Sequence, residues 1–157
     1  MKNFPEFETE SMGGCEGFDF IPIDTIKNLA ATSTSNELTT AIELLDGNTI
    51  FEGLAILDSL EFTEPQENQK AGGLYKTKVI GVVPKMTSEY LTLFNEMTKH
   101  RHIVLATDSN GNIRVVGYEN GARFKFDQAT GKKASDMNGF SFEFTAESRK
   151  PSPFYVV

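Results

Sequence analysis

Along most of this chain apolar and polar residues alternate in short runs, the period-2 signature of strands with one buried face. The pattern is clearest after residue 100. Ile103 to Thr107 and Ile113 to Tyr118 flank Asp108-Ser109-Asn110-Gly111-Asn112, turn chemistry that predicts a hairpin. Phe124 and Phe126 then alternate with Arg123, Lys125 and Asp127, and Gly131 and Gly139 punctuate the chain before Phe140, Phe142, Phe144 and Ala146. Alternation this regular predicts a sheet wet on one side, with the Phe140, Phe142, Phe144 face forming the protomer's own core.

The period changes to that of a helix once, from about Ser88 to Lys99, where Tyr90, Leu91, Phe94 and Met97 share a face. Thr87 is placed as its N-cap, Glu89 lies in the first turn where the helix dipole favours an anion, and Met86 can staple onto Leu91. Lys99, His100 and Arg101 complement the other end. The apolar stripe reads as core and not as a cofactor box.

Nearer the N-terminus, Phe18-Asp19-Phe20-Ile21-Pro22-Ile23 predicts a strand whose Pro22 belongs at a sheet edge or strand end. The small polar stretch 31–39 predicts a loop. Asp46-Gly47 between Ala41–Leu45 and Asn48–Glu52 is a strong local signal for a hairpin, because Gly tolerates the positive φ of a type I′ turn. Leu54–Thr63 and Leu74–Val83 predict a second pair around the polar connection 63–73, which is long enough to suggest an interaction loop. Residues 1–14 read as an arm, 15–150 as a single β-rich domain, and 151–157 as an extended apolar tail after two prolines. The predicted class is mainly β, a β-sandwich or rolled barrel of antiparallel strands, with one short α-helix packed against it.

Composition narrows what such a domain does. A chain of 157 residues can bury a core without disulfides, and its single cysteine, Cys15, allows no internal disulfide. Cys15 reads as a small buried hydrophobe, since no His or Asn partner pattern accompanies it. There are 13 Phe and no Trp, so most aromatic area belongs to core or interface. A net charge of -7 argues against a duplex-binding module, and the basic clusters at Lys99–His102 and Lys132-Lys133 are short. No window has the length or apolarity of a signal peptide or membrane span, so a soluble protein made in the cytoplasm is expected.

Candidate chemistry is sparse. Asp108–Asn112 resembles the start of a calcium loop but has Ile113 at the sixth position, where such a loop needs Gly, so it reads as a turn. His100 and His102 have no local carboxylate or thiolate partner for a metal, and a role capping the helix end is the simpler assignment. Gly13-Gly14 and Gly72-Gly73 lack the strand-to-helix setting of a phosphate loop. No paired-carboxylate site stands out among the 22 acidic residues. The expectation is a non-enzymatic protein with no cofactor and no metal.

The order of these segments resembles a family. A Gly-Gly-Cys lead-in to the first strand, a long-armed strand pair and one helix are followed by HIVLATDSNGNIRVVGYENGARF (residues 102–124) and GKKASDMNGFSFEFTAES (residues 131–148). Together they resemble the tail-tube family of bacteriophage virion proteins, whose fold is shared with type VI secretion tubes. The similarity covers most of residues 13–147 and rests on organisation: D-x-N-G in the hairpin after the helix, a following Val-Gly with a Gly-containing turn, and S-D-x-N-G-F before the last long strand. The Ser/Thr-rich 31–39 segment and the Pro-flanked tail depart from it, and suit equally a tail terminator, a head-tail joining protein or another ring-forming virion protein.

The resemblance implies a homo-oligomeric ring, commonly a hexamer, stacking into a tube through long loops, with other virion tail proteins as partners and DNA passing non-specifically through the lumen. It places the protein in the virion tail after synthesis in the host bacterial cytoplasm, with no membrane partner. An acidic wall would repel phosphates and let DNA slide. The candidate subunit or ring interface comprises Pro65, Gln66, Glu67, Asn68 and Gln69 in the long connection and Phe154, Tyr155, Val156 and Val157 at the C-terminus. Two other classes compete: a monomeric β-barrel or sandwich binding a small apolar ligand in a Phe-lined interior, and a metal-dependent hydrolase using His100, His102 and Asp108.

Overall fold

Val104 and the residues beside it are apolar without a break from Ile103 to Ala106, and the strand that carries them is buried on both faces. It organises the rest of the chain. The computed structural model describes residues 13–56, 58–84, 87–133 and 139–157. In chain order the elements are β1 (Cys15–Pro22), a single 3₁₀ turn (Ile23–Thr25), β2 (Ile26–Asn28), β3 (Glu37–Leu38), β4 (Glu43–Leu44), β5 (Phe51–Glu52), β6 (Glu61–Thr63), β7 (Gln66–Gln69), β8 (Gly72–Val83), α1 (Ser88–Thr98), β9 (Arg101–Asp108), β10 (Ile113–Val116), β11 (Ala122–Ala129), β12 (Gly139–Ser148) and β13 (Phe154–Tyr155).

The fold is mainly β, a curled sheet with one short α-helix packed against it. Strand β9 pairs with β1 on one side and with β10 and β11 on the other, all antiparallel. Val116 lies opposite Val104 and Ala122 opposite His102, so β10 and β11 extend one line along β9, interrupted by residues 117–121. Gly117, at φ 82°, closes that loop, where a Cβ would come within 2.6 Å of the Ala122 nitrogen. β11 then runs on to pair with β12, β12 with β8, and β8 with β6 and β7. The curl lays this second half of the sheet over β1 and β9.

The space between the halves is filled by phenylalanine. Phe18 and Phe20 of β1 meet Phe142 and Phe144 of β12, with Phe18–Phe142 ring centroids 5.4 Å apart and Phe124–Phe144 5.0 Å. Helix α1 closes one end by inserting Phe94 against Phe124, Phe126 and Phe140 at 5.2–5.4 Å. Phe140, Phe142 and Phe144 are the core of this single chain. A second cluster on the opposite face of β1 and β9 contains Ile21, Leu38, Ile42, Ile103, Leu105 and Val115. It is covered by residues of the segment 26–44 together with Tyr118 and Tyr155.

Several expectations hold in detail. The helix starts at Ser88, and Thr87 Oγ1 accepts from the Tyr90 N–H at 3.3 Å. The Met86 staple falls outside the described residues. The hairpin β9–β10 forms around Asp108, and Pro22 ends β1. Cys15 is half-buried against the Phe cluster, donates to the Thr107 carbonyl at 3.2 Å, and has its thiol pKa raised, chiefly by burial.

Four expectations are corrected. Asp46-Gly47 does make a turn, with Gly47 at φ 81° and the Asn48 N–H on the Leu45 carbonyl, but its arms do not pair with each other. Leu44 pairs with Ile26 over the second cluster, while Phe51 pairs with Phe20 and stacks on its ring at 5.5 Å. Two separate cores thus draw the arms apart, and tertiary burial outweighs the local turn signal. Among the described residues of 54–63 only Glu61–Thr63 is strand; upstream the Ser59 hydroxyl takes the Val82 N–H and donates to the Ile56 carbonyl, replacing ladder bonds. The stretch 31–39 is a loop only to Asn36, because Leu38 is fully buried and β3 pairs in parallel with β13. The 63–73 connection is itself the β7–β8 hairpin, turning tightly at Lys70-Ala71 with Gly72 at φ 114°.

Candidate assembly surfaces

Glu64 sits between β6 and β7, at the point where the chain leaves the domain body to form the β7–β8 hairpin. Its carboxylate is only 8% exposed and gathers donors from three other places in the chain. Thr77 Oγ1 of β8 donates to Oε2 at 2.7 Å, and the Ser152 N–H approaches both oxygens at 3.0 and 3.1 Å. The Ser152 hydroxyl also donates to Oε2. Arg114 Nη2 of β10 reaches Oε1 at 3.4 Å and the Ser152 carbonyl at 2.8 Å. A buried carboxylate satisfied in this way, by hydroxyls, an N–H and a guanidinium, is a fixed node.

The Arg114 guanidinium also lies over two aromatic rings, Phe154 at 4.3 Å and Phe62 at 5.4 Å. The node therefore joins β6, the root of the hairpin, β8, β10 and the C-terminal segment. It brings together the two stretches singled out as a candidate interface. Phe154 pairs with Arg114, and Tyr155 pairs with Leu38 and accepts from the Ile42 N–H through its hydroxyl. The C-terminal segment is thus a sheet strand as far as Tyr155 and not a tail outside the domain, because Ser152 and Pro153 are buried in the seam between β10, β3 and Glu64. Beyond it, Val156 and Val157 are exposed.

On the hairpin, all four residues of β7, Gln66, Glu67, Asn68 and Gln69, are exposed, as is Pro65 at its root. The pairing of β8 with β12 begins at Tyr75, so Gly72–Leu74 and the turn extend roughly 10 Å beyond β12. Two contacts stiffen the projection. Lys76 Nζ pairs with Glu67 at 3.2 Å, and the Arg149 guanidinium donates to the Ala71 carbonyl at 3.1 Å. The 63–73 segment was legible as an exposed arm, whereas Glu64, Arg114 and Ser152 carried no signal in the sequence, being single polar residues remote from one another.

The residues weighed for a metal-dependent reaction do not converge. His102 is buried, with Nε2 on the Met97 carbonyl at 3.0 Å, which caps the helix end and requires the proton on Nε2. Its Nδ1 has no partner among the described residues, and burial holds its pKa below the ordinary value. His100 lies outside, bonded to Glu96 at 3.2 Å and 3.7 Å from Asp24. Asp108 is at the far end of β9, about 20 Å along the strand from His102. Its carboxylate accepts from the Asn110 and Asn112 N–H groups at 2.8 and 2.9 Å. Burial acts to raise the Asp108 pKa, but the Asn112 and Asn110 hydrogen bonds and the Arg114 charge bring it below the usual range.

Compared with protein-family models, with curated proteins and with solved structures, the chain gave no match.

Proposed function

We propose that this protein is a structural component of a phage virion that assembles into rings or a stacked tube forming the DNA conduit of the tail. The observation that carries the reading is the β7–β8 hairpin: a projection whose β7 strand is polar and fully exposed and whose root is tied by Glu64 to the same node as the C-terminal strand. An arm held rigidly loses little conformational entropy when it docks, so it suits repeated contact between identical subunits or stacked rings. The order of segments that resembles the tail-tube family supports the same assignment. Other virion tail proteins would be partners at the ends of such a tube. The alternative of a tail terminator or head-tail joining ring differs in stopping at one closed ring.

A monomeric barrel holding an apolar ligand is less well supported, because the interior is occupied by the protein's own Phe140, Phe142 and Phe144 rings. Light scattering and negative-stain imaging of the purified chain at micromolar concentration test the proposal. Rings of defined mass or tubes are expected, closed rings that never elongate would select the terminator or joining alternative, and a dispersed monomer at every concentration would overturn assembly altogether.

A further inference from the structure

Two pairs of like charges face each other across strands in this chain. Asp19 of β1 lies directly opposite Glu52 of β5, and Arg101 of β9 lies directly opposite Arg123 of β11. Like charges at such positions repel and destabilise the sheet. Among the described residues none of the four forms an ion pair, and the Arg101 guanidinium instead donates to the Asn120 carbonyl at 2.8 Å. The Asp19 carboxyl has its pKa raised by burial and by the Glu52 charge beside it.

The pairs cannot neutralise each other within one protomer. Asp19 is in register with Leu105, four residues along β9 from Arg101, which is about 13 Å of strand. Each pair also has exposed apolar surface at its side. Next to Asp19 and Glu52 run Phe51 (46% exposed) and Leu54 (65%), which with Leu93 (45%) rim a groove of about 240 Å³ against α1. Next to Arg101 is Ile23, which packs at Gly121 and remains partly exposed. Strand β5 has no partner on its outer side among the described residues, so it is an open edge.

Resting on the reading of this chain as a self-assembling protein, we infer that the Asp19/Glu52 edge of one copy docks on the Arg101/Arg123 surface of a second copy, covering Phe51 and Leu54. Opposite charge at the two pairs supplies orientation and selectivity, and the flanking apolar residues supply the buried area. Glu147, which lines the same hollow as Arg101 and Arg123, limits the excess positive charge there without removing it.

Charge reversal tests this directly. Glu52→Arg and Arg123→Glu are both at exposed positions, so the fold should survive, which circular dichroism checks. Sedimentation velocity on the full chain should show each single variant self-associating at least tenfold more weakly than wild type. An equimolar mixture of the two variants, and the double variant, should recover association. Wild type should weaken between 0.05 and roughly 0.5 M salt as the charges are screened. Wild type that assembles while both single variants assemble equally well would overturn this interface and leave the assembly reading standing. Wild type that never associates would overturn both.

Discussion

Replacing Glu64 by alanine removes the one acceptor shared by Thr77, Ser152 and Arg114. In the native chain its carboxylate takes the Thr77 hydroxyl, the Ser152 hydroxyl and N–H, and a guanidinium N–H of Arg114. Independent hydrogen bonds to a charged group would each be worth about 1.5–3 kcal/mol, but groups in one network do not add. The nearer guide is the loss of one partner from a buried ion pair, about 3–5 kcal/mol, because the Ser152 N–H loses its acceptor and Arg114, which keeps the Ser152 carbonyl, loses its counter-charge. Glu64→Gln keeps one carbonyl oxygen and the side-chain shape, and should cost about 1–2 kcal/mol.

Urea unfolding followed by far-UV circular dichroism is a suitable assay, since the chain has no Trp to report by fluorescence. With a slope of about 2 kcal/mol/M, the alanine variant's midpoint should fall by roughly 2 M and the glutamine variant's by less than about 1 M. A double-mutant cycle between Glu64→Ala and Ser152→Ala should give a coupling of about 1–3 kcal/mol. If Glu64→Ala stays within about 0.5 kcal/mol of wild type, or the two substitutions are additive, the node does not hold the hairpin root and the C-terminal strand together.

Three other outcomes follow from the same packing. Phe144→Ala, at a fully buried position among Phe18, Phe124, Phe142 and His102, should lose about 3–5 kcal/mol by urea titration, and a loss below about 1.5 kcal/mol would mean that the core is not close-packed. Burial depresses the His102 pKa in the folded state, so its contribution to stability is fully present above the unfolded value of about 6.5, is lost as pH falls from there, and levels off below the folded value. His102→Gln, which removes the titration, should therefore lose less stability than wild type between pH 7.5 and 5, and identical pH slopes would refute that assignment. Deleting 151–157 removes the Ser152 and Phe154 contacts and should destabilise the monomer by more than about 3 kcal/mol, whereas Val157→Asp at an exposed position should change it by less than about 0.5 kcal/mol; thermal melts that rank them otherwise would sink the view of the C-terminal segment as a sheet strand.

The long strands were legible because their signal is local. Phe140, Phe142 and Phe144 alternate with Ser141 and Glu143, and the burial of β12 repeats that alternation residue by residue. The helix was legible for a similar reason, with a cap, a stripe and a basic end within a dozen residues. What sequence could not supply is the choice among partners for short strands. Leu38, Leu44 and Phe51 each sit in a two-residue strand, and each pairs far along the chain, with Tyr155, Ile26 and Phe20. Nothing near Asp46-Gly47 shows that its arms belong to different cores. Glu64 was hidden for the same reason, since its partners Thr77, Arg114 and Ser152 are 13, 50 and 88 residues away.

The layering bears on where assembly contacts can form. The inner half of the sheet, β1 with β9 and β10, is covered on both sides, by the Phe cluster on one and by the second cluster on the other. The outer half, β11, β12 and β8, buries one face and presents Lys76, Lys78, Arg123, Lys125, Glu143 and Glu147 on the other. That face is partly neutralised in place: Glu143 lies between Lys125 at 2.7 Å and Lys78 at 3.5 Å. A hydrated lattice of alternating charges gains little from being covered, because desolvation offsets the attraction of any new pair. Among the described residues the exposed large apolar side chains are instead Ile50, Phe51 and Leu54 beside β5, Leu93 on α1, Ile23 and Leu45 at turns, and Phe154, Val156 and Val157 at the C-terminus. Copies of this chain that associate through apolar surface must then bring these side chains to the contact, touching the charged face only at its Arg101/Arg123 margin, where no ion pair among the described residues offsets the charge, and leaving the lattice around Glu143 to water.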